Sequence, residues 1–399
     1  MSLDLNPQKI WERYKQALEG LRGNVKQYDC FPKPILTTGM GYPGIWLEHN
    51  HDSLFYLRHD PEVSKASHEI FFHFQAEDGL FPAYICKPHG EVTYRIGYGH
   101  VQTVYPIAAS SWEIAKSTKD EAFLEKAYEA CVKYDEWFMK YRNTRGTGLV
   151  EMFCEWDTGH DNSARVTDGG IPSCCPDGDS RICPSVDVLP IISTDLTATV
   201  YGGRIALAAM AEALNKDNEA ALWKEKAEEM KAKLIELCFD EEDEFFYDVD
   251  SKGNLRKYKT EHIFRLFINR VLDQDMFDRI YKRYIKSPDH FWTPYPFPSV
   301  SISDPSYNSQ LKYNSWGGMS QSHTALETLF WMEHYGVSED MEKVMQIWVK
   351  QFTNSHKDFA QEMDPLTGEF SDCAPYFTPS LIAYIEFVDR LYGSEKNKI

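Results

Sequence analysis

No stretch of about 18 apolar residues occurs in this sequence, so nothing in it reads as a membrane-spanning helix. Its opening, MSLDLNPQKIWERYKQALEG, has neither a basic leader nor an apolar run, and a cytoplasmic location is expected. Positive charge is scarce. Against 61 Asp and Glu stand only 42 Lys and Arg, and the resulting formal charge of −19 repels nucleic-acid phosphates and anionic lipids. Neither nucleic acid nor membrane is therefore expected as a partner. Gly/Ser/Pro-rich linkers and low-complexity segments are also missing, which makes a single domain over 1–399 the simplest reading. Metal-type cysteine spacing is absent at Cys30, Cys86, Cys131, Cys238 and Cys373. The adjacent Cys174 and Cys175, with Cys183, make a poor start for a tetrahedral zinc clamp. The cysteines read as free thiols of a reducing compartment.

What the chain does have is helical periodicity. Three segments, 106–138, 195–239 and 322–352, each read as an amphipathic helix, a short polar turn and a second helix. In the second, Leu196, Val200, Leu207, Met210 and Leu214 recur at helical spacing, while Lys224, Glu225, Glu228 and Glu229 belong to a solvated face. Further helices are predicted over 8–22, 61–75, 260–286 and 378–392, and the best strand hairpin over 243–254. Repeated helical hairpins without linkers bury their apolar faces on one another, by stacking or by closing into a ring. Long loops at 30–60, 142–192, 287–317 and 354–377 favour the ring, and their aromatic content argues for a working cleft over disorder.

Sugar rings present apolar C–H faces to aromatic side chains, and this chain is 14% aromatic, so the acids to look for are those beside aromatic residues. Hydrolysis of a glycosidic bond needs one protonated carboxyl and one carboxylate. In GLVEMFCEWDTGHDNSARV, 148–166, Glu155, Asp157 and Asp161 surround Trp156, His160, Asn162 and Arg165. Crowded acids raise one another's pKa, which suits a general acid. In HKDFAQEMDPLTGEFSDCAPYFTPS, 356–380, Glu362 precedes an Asp-Pro-x-Thr-Gly turn that fixes the backbone beside it.

These segments, in order, resemble the helical-toroid glycoside hydrolases that include trehalase, processing α-glucosidase I and mannosylglycerate hydrolase. GIWLEHNHDSLFYLRHDPEVS resembles their Trp-x-Trp-Asp-Ser segment, FHFQAEDGLFP their Gln-x-x-Asp-Gly-x-x-Pro turn, and EWDTGHDNSAR their Trp-x-Ser-Gly-x-Asp-x-Ser-x-Arg motif. TDLTATVYGGRIALAAMAEAL, YPFPSVSISDPSY and YNSWGGMSQSHTAL resemble later segments of the same group, so that the likeness spans roughly 40–390. It implies an all-α (α/α)6 toroid without cofactor or metal, acting on a small α-linked glucoside or mannoside with inversion. It places Asp161 as general acid, with Trp156, Asn162 and Arg165 around the sugar. The position of the base falls on Gln361, one residue before Glu362. Glu362 is the expected base, with Glu369 and Asp372 as substitutes. An inverting pair leaves room for water, with carboxyls about 6.5–9.5 Å apart. Further sugar contacts are expected from Trp46, His49, Asp52, Gln75, Tyr98, His100, Gln102, His160, Trp316, Gln321 and Tyr376.

Two departures point to altered subsites. The Trp-Asp-Ser segment has become Trp46 to Asp52 with two histidines, and Gly317 stands where the group has an arginine after Trp316, removing a fork of donors. Histidines His49, His51, His100, His160 and His323 raise an alternative, a sugar epimerase of the N-acylglucosamine 2-epimerase type that moves a proton with paired histidines. A non-catalytic sugar-binding module is a further alternative. His49-x-His51 with Asp52 has metal-ligand spacing, but no third and fourth ligand declares itself.

Overall fold

Asn6 followed by Pro7 starts the first helix of the computed structural model as a cap and a pre-set first turn should: the Asn6 side chain accepts from the Gln8 N–H. The structure describes residues 6–393 except 89, 92, 311 and 312. Its helices are α1 (Pro7–Gly23), α2 (Asp52–Tyr56), α3 (Pro61–His73), α4 (Ile107–Thr118), α5 (Glu121–Tyr141), α6 (Ala164–Thr167) and α7 (Thr194–Ala213). Then follow α8 (Asp217–Cys238), α9 (His262–Ile268), α10 (Gln274–Ile280), α11 (Ser322–Trp331), α12 (Ser338–Asn354) and α13 (Thr378–Tyr392).

The three predicted hairpins are α4–α5, α7–α8 and α11–α12. Their turns use the expected chemistry: Lys119 takes a left-handed φ of 56° after α4, and the Asp120 carboxylate caps α5 by accepting from Phe123 N–H. The helix predicted over 260–286 is two helices instead. Arg270 turns left-handed at φ 56°, Asp273 caps α10, and a π-turn over Tyr281–Ile285 ends the segment. The hairpin expected over 243–254 is displaced. Its turn, 250–254, joins Asp248–Val249 to Leu255–Arg256, while Phe245–Phe246 pairs with Phe239–Asp240.

Two compact units can be recognised. One holds the residues up to Lys26, Thr37–Pro43 and the chain from Asp273, and so α1 and α10–α13. Its core is aromatic, with Phe277 stacked on Tyr335 at 3.9 Å and the rings of Trp331, Trp348 and Tyr384 buried. The other holds Gln27–Leu36 and Gly44–Leu272, with α2–α9. There α7 is buried on nearly every side, packed against α4, α5, α8 and α9. A small antiparallel sheet of two-residue strands, ordered 255–256, 248–249, 191–192, 151–152, ties the long 142–192 loop to the end of α8. Among the described residues no helix is long and apolar enough to cross a membrane.

Candidate functional site

In the second unit the segment 153–165 is held by its own acids. Asp157 is fully buried, and its carboxylate accepts from the N–H groups of Val101 (2.9 Å), Phe153 (2.8 Å) and Cys154 (3.1 Å) and from both ends of Arg142 (2.6 and 3.1 Å). Burial alone would push its pKa up, but Arg142 and the backbone donors hold it below the ordinary carboxylate value. Glu155 is spent in the same way. One oxygen accepts from Asn162 N–H at 2.7 Å and the other from Ser173 hydroxyl at 3.0 Å. Asp161 is half-buried at the tip of the turn, between buried His160 and exposed Asn162, which has φ 65°.

Arg165 closes this turn from beneath. Its guanidinium, 1% exposed, bonds Asp195 at 2.7 and 2.9 Å and Asp248 at 2.7 and 3.0 Å, with further bonds to His160 and Ser193. All its N–H groups are engaged. The expected contact between Arg165 and sugar is therefore replaced by a structural clamp. His160 is likewise turned inward, with its ring nitrogens 3.1 Å from Glu261 and 3.2 Å from Thr158.

Four rings form a wall nearby: Trp46 lies 5.8 Å from Tyr84, Tyr84 5.8 Å from His100, and His100 5.4 Å from the exposed Trp156. Sequence reasoning found three of them and missed Tyr84, which the pairing of strands Gly44–Trp46 and Tyr84–Cys86 sets opposite Trp46. His100 bonds Gln102 at 2.8 Å, and burial pulls its pKa down. Below this wall His49 lies between two acids, 3.2 Å from Glu48 and 3.6 Å from Asp52. Glu48 is a second residue missed by sequence reasoning. Asp52 is 3% exposed, and burial, aided by Glu48 and opposed by His49, pushes its carboxyl up to about 7. Gln75 and Tyr98 are occupied elsewhere: the Gln75 amide donates to Gly79 and Ala130 carbonyls, and the Tyr98 hydroxyl to Phe74 carbonyl at 2.5 Å.

In the first unit the Asp364-Pro-Leu-Thr-Gly368 turn forms as expected. Gly368 N–H donates to Asp364 carbonyl at 2.8 Å with φ 74° at the glycine, and Ser371 N–H returns to the Glu362 carbonyl at 3.1 Å. The Glu362 carboxylate, 1% exposed, accepts from Ser315 N–H (2.8 Å), Gln321 amide (2.9 Å) and Ser371 hydroxyl (3.0 Å). Gln361 points into the same network, donating to Asn314 at 2.7 Å and accepting from the Tyr42 hydroxyl at 2.8 Å. Asn314 also accepts from the Trp316 indole at 3.0 Å. Sequence reasoning missed Tyr42, Asn314, Ser315 and Ser371, which are polar residues without a local signal. Glu369 and Asp372 are exposed, the latter paired with Lys357. Tyr376 carries its ring to Gly20 of α1, where an added methyl would meet it at 3.0 Å.

Residues 48–380 match the mannosylglycerate hydrolase MGH1-like glycoside hydrolase domain. The chain belongs to that family. Its fold is the all-α (α/α)6 toroid, and it is a glycoside hydrolase. A GH63 mannosylglycerate hydrolase from Thermus thermophilus, solved with glucose, superposes with a TM-score of 0.73 at 17% identity, covering 93% of this chain and 98% of that one. Neutral trehalase from Saccharomyces cerevisiae superposes with a TM-score of 0.67 at 11% identity, covering 96% of this chain and 81% of that one. An uncharacterised protein of Borreliella burgdorferi is 33% identical over 99 residues, which are 25% of this chain. The match spans only 21% of that protein's length. Membership of a hydrolase family goes against the epimerase alternative.

Proposed function

We propose that this family member is an inverting hydrolase of a small α-linked glucoside or mannoside, with Asp161 as general acid and Glu362 as general base. The observation that carries the reading is the division of labour among the acids. Glu155 and Asp157 are consumed in holding the backbone, and Glu369 and Asp372 are exposed. Asp161 stands half-buried on the turn between Asp157 and Arg165, in the segment that carries Trp156, and Glu362 is a buried acceptor fixed by three donors.

In this mechanism protonated Asp161 gives its proton to the departing glycosidic oxygen, while Glu362 takes a proton from the water that attacks the anomeric carbon from the opposite face. Trp46, Tyr84, His100 and Trp156 offer ring faces and edges to the sugar. His49, Asp52, Gln102, Asn162 and Gln321 supply its polar contacts, and Trp316 a further ring. Glucose bound to the Thermus mannosylglycerate hydrolase supports a small sugar as ligand. Catalysis takes place in one domain without cofactor or metal, in a cytoplasmic protein.

The test is a screen of α-gluco, α-manno and α-galacto disaccharides and glycerate glycosides, with the first-formed product anomer read by proton NMR. The β anomer is expected. Asp161→Asn should keep its circular dichroism and lower turnover by about 10²–10⁴-fold, and Glu362→Gln should abolish it. First release of the α anomer, or near-parental turnover by Asp161→Asn, contradicts the mechanism. Loss of activity in Glu369→Gln or Asp372→Asn but not in Glu362→Gln moves the base.

A further inference from the structure

The acid turn hangs on a histidine. Between Gly159 and Asp161 the family motif leaves one position open, and here it holds His160, whose residue is 1% exposed. Its Nδ1 lies 3.2 Å from Nη1 of Arg165 and 3.2 Å from the Thr158 hydroxyl. Its Nε2 lies 3.1 Å from Glu261 Oε1 and 3.4 Å from Nη2 of Arg265, and of these two only the carboxylate can accept a proton from the ring. Burial, with Arg265 close by, holds the imidazole below its ordinary pKa and so neutral. Arg165, Asp195, Glu261 and Arg265 are the charged groups that face it.

Glu261 is itself firmly placed. It precedes α9, its carbonyl accepts from Phe264 N–H at 2.8 Å, and its carboxylate lies 3.7 Å from Arg265 one turn on. The backbone couples this anchor to the chemistry, because neighbouring Cα atoms are fixed about 3.8 Å apart and a shift of His160 carries Asp161 with it.

We infer that Glu261 is a positioning residue for the general acid: it holds the His160 ring, and through that ring it sets where the Asp161 carboxyl stands. The inference rests on Asp161 being the acid. It goes beyond that reading by adding a residue remote in sequence that never touches the sugar.

The experiment compares the parent with Glu261→Ala and Glu261→Gln on the α-linked disaccharide that the screen finds active, and on the matching α-glycosyl fluoride. Fluoride leaves with little need of a proton donor, so a defect in acid placement shows on the disaccharide alone. Glu261→Ala should lower kcat on the disaccharide by about 10²-fold, the effect expected of a misplacement near 1 Å, with KM unchanged and the fluoride rate within a few-fold of the parent. Glu261→Gln, whose amide oxygen accepts the same bond, should recover most of the loss. Equal loss on both substrates, or no loss on the disaccharide, overturns the inference. Should Glu261→Ala not fold, His160→Gln carries the same comparison under the same criterion. Asp161→Asn is run beside them. If it alone keeps disaccharide turnover, the acid assignment has failed; if it loses turnover while Glu261→Ala does not, only the role of Glu261 has.

Discussion

Replacing Asp52 by asparagine should make the protein more stable in neutral and weakly alkaline solution but not in acid. The Asp52 side chain is buried, and among the described residues neither oxygen has a hydrogen-bond partner and the closest positive charge it can meet is His49 at 3.6 Å. In the unfolded chain this carboxyl ionises near about 3.9. In the folded one burial first, and Glu48 second, push it up to about 7. The folded state therefore binds this proton more tightly. The stability it contributes is whole below about pH 4 and is lost as the pH rises through about 7. At about 1.4 kcal/mol per pH unit, the full change comes to about 4 kcal/mol. Asparagine has the same shape and no proton to lose, so the difference between Asp52→Asn and the parent should grow by up to that amount between about pH 4.5 and about pH 8. Guanidinium denaturation followed by tryptophan fluorescence at three pH values measures it. A difference that stays constant with pH refutes the argument, since it means that the folded protein ionises Asp52 as readily as water does.

Arg165→Met should cost about 3–5 kcal/mol, because it strands Asp195 and Asp248 as buried carboxylates; a loss under about 1 kcal/mol in a denaturant melt would show that the clamp is not structural. Burial would raise both of these acids, but Arg165 holds them below the ordinary carboxylate range. Their share of the parent's stability is thus present above that range and lost as the pH falls through their depressed values, so the stability gap between parent and variant should narrow in acid. Gly159→Ala should lower both stability and turnover, by about 1–3 kcal/mol for the strain. Gly159 has φ 72°, and an added methyl would meet the Glu48 carboxylate at 2.3 Å. Parental activity in Gly159→Ala would show that the turn tolerates displacement.

The long helices were legible because their burial is one-sided. Residues Tyr128, Cys131, Trp137 and Phe138 of α5, or Met341, Val344, Met345 and Trp348 of α12, repeat at helical spacing and are all buried. The break between α9 and α10 was not, since every residue of α9 is buried and a helix buried on all sides has no one-sided pattern to interrupt. Capping chemistry was the available signal: Asp273 three residues before Met276 marks a new start. The strand hairpin was shifted because two-residue strands depend on partners at 191–192 and 239–240, outside the window that suggested them.

For the site, composition singled out the segment 148–166 but could not assign its acids. Glu155 and Asp157 do not announce in sequence that they hold the backbone, because the donors that fix them come from Val101, Arg142 and Ser173 as well as from the segment itself. The same blindness misread Arg165. A motif states that an arginine stands two residues after a serine, not what it serves, and here its carboxylates lie 30 and 83 residues further on. Gln361 and Glu362 show the reverse case. The position of the base falls on Gln361, one residue before Glu362, and both side chains meet Gln321, the amide of Gln361 donating to its oxygen at 3.3 Å and the carboxylate of Glu362 accepting from its nitrogen at 2.9 Å. A shared partner of this kind makes the two positions one network, so a carboxylate displaced by a single residue still has its orientation fixed by the side chain that binds them both.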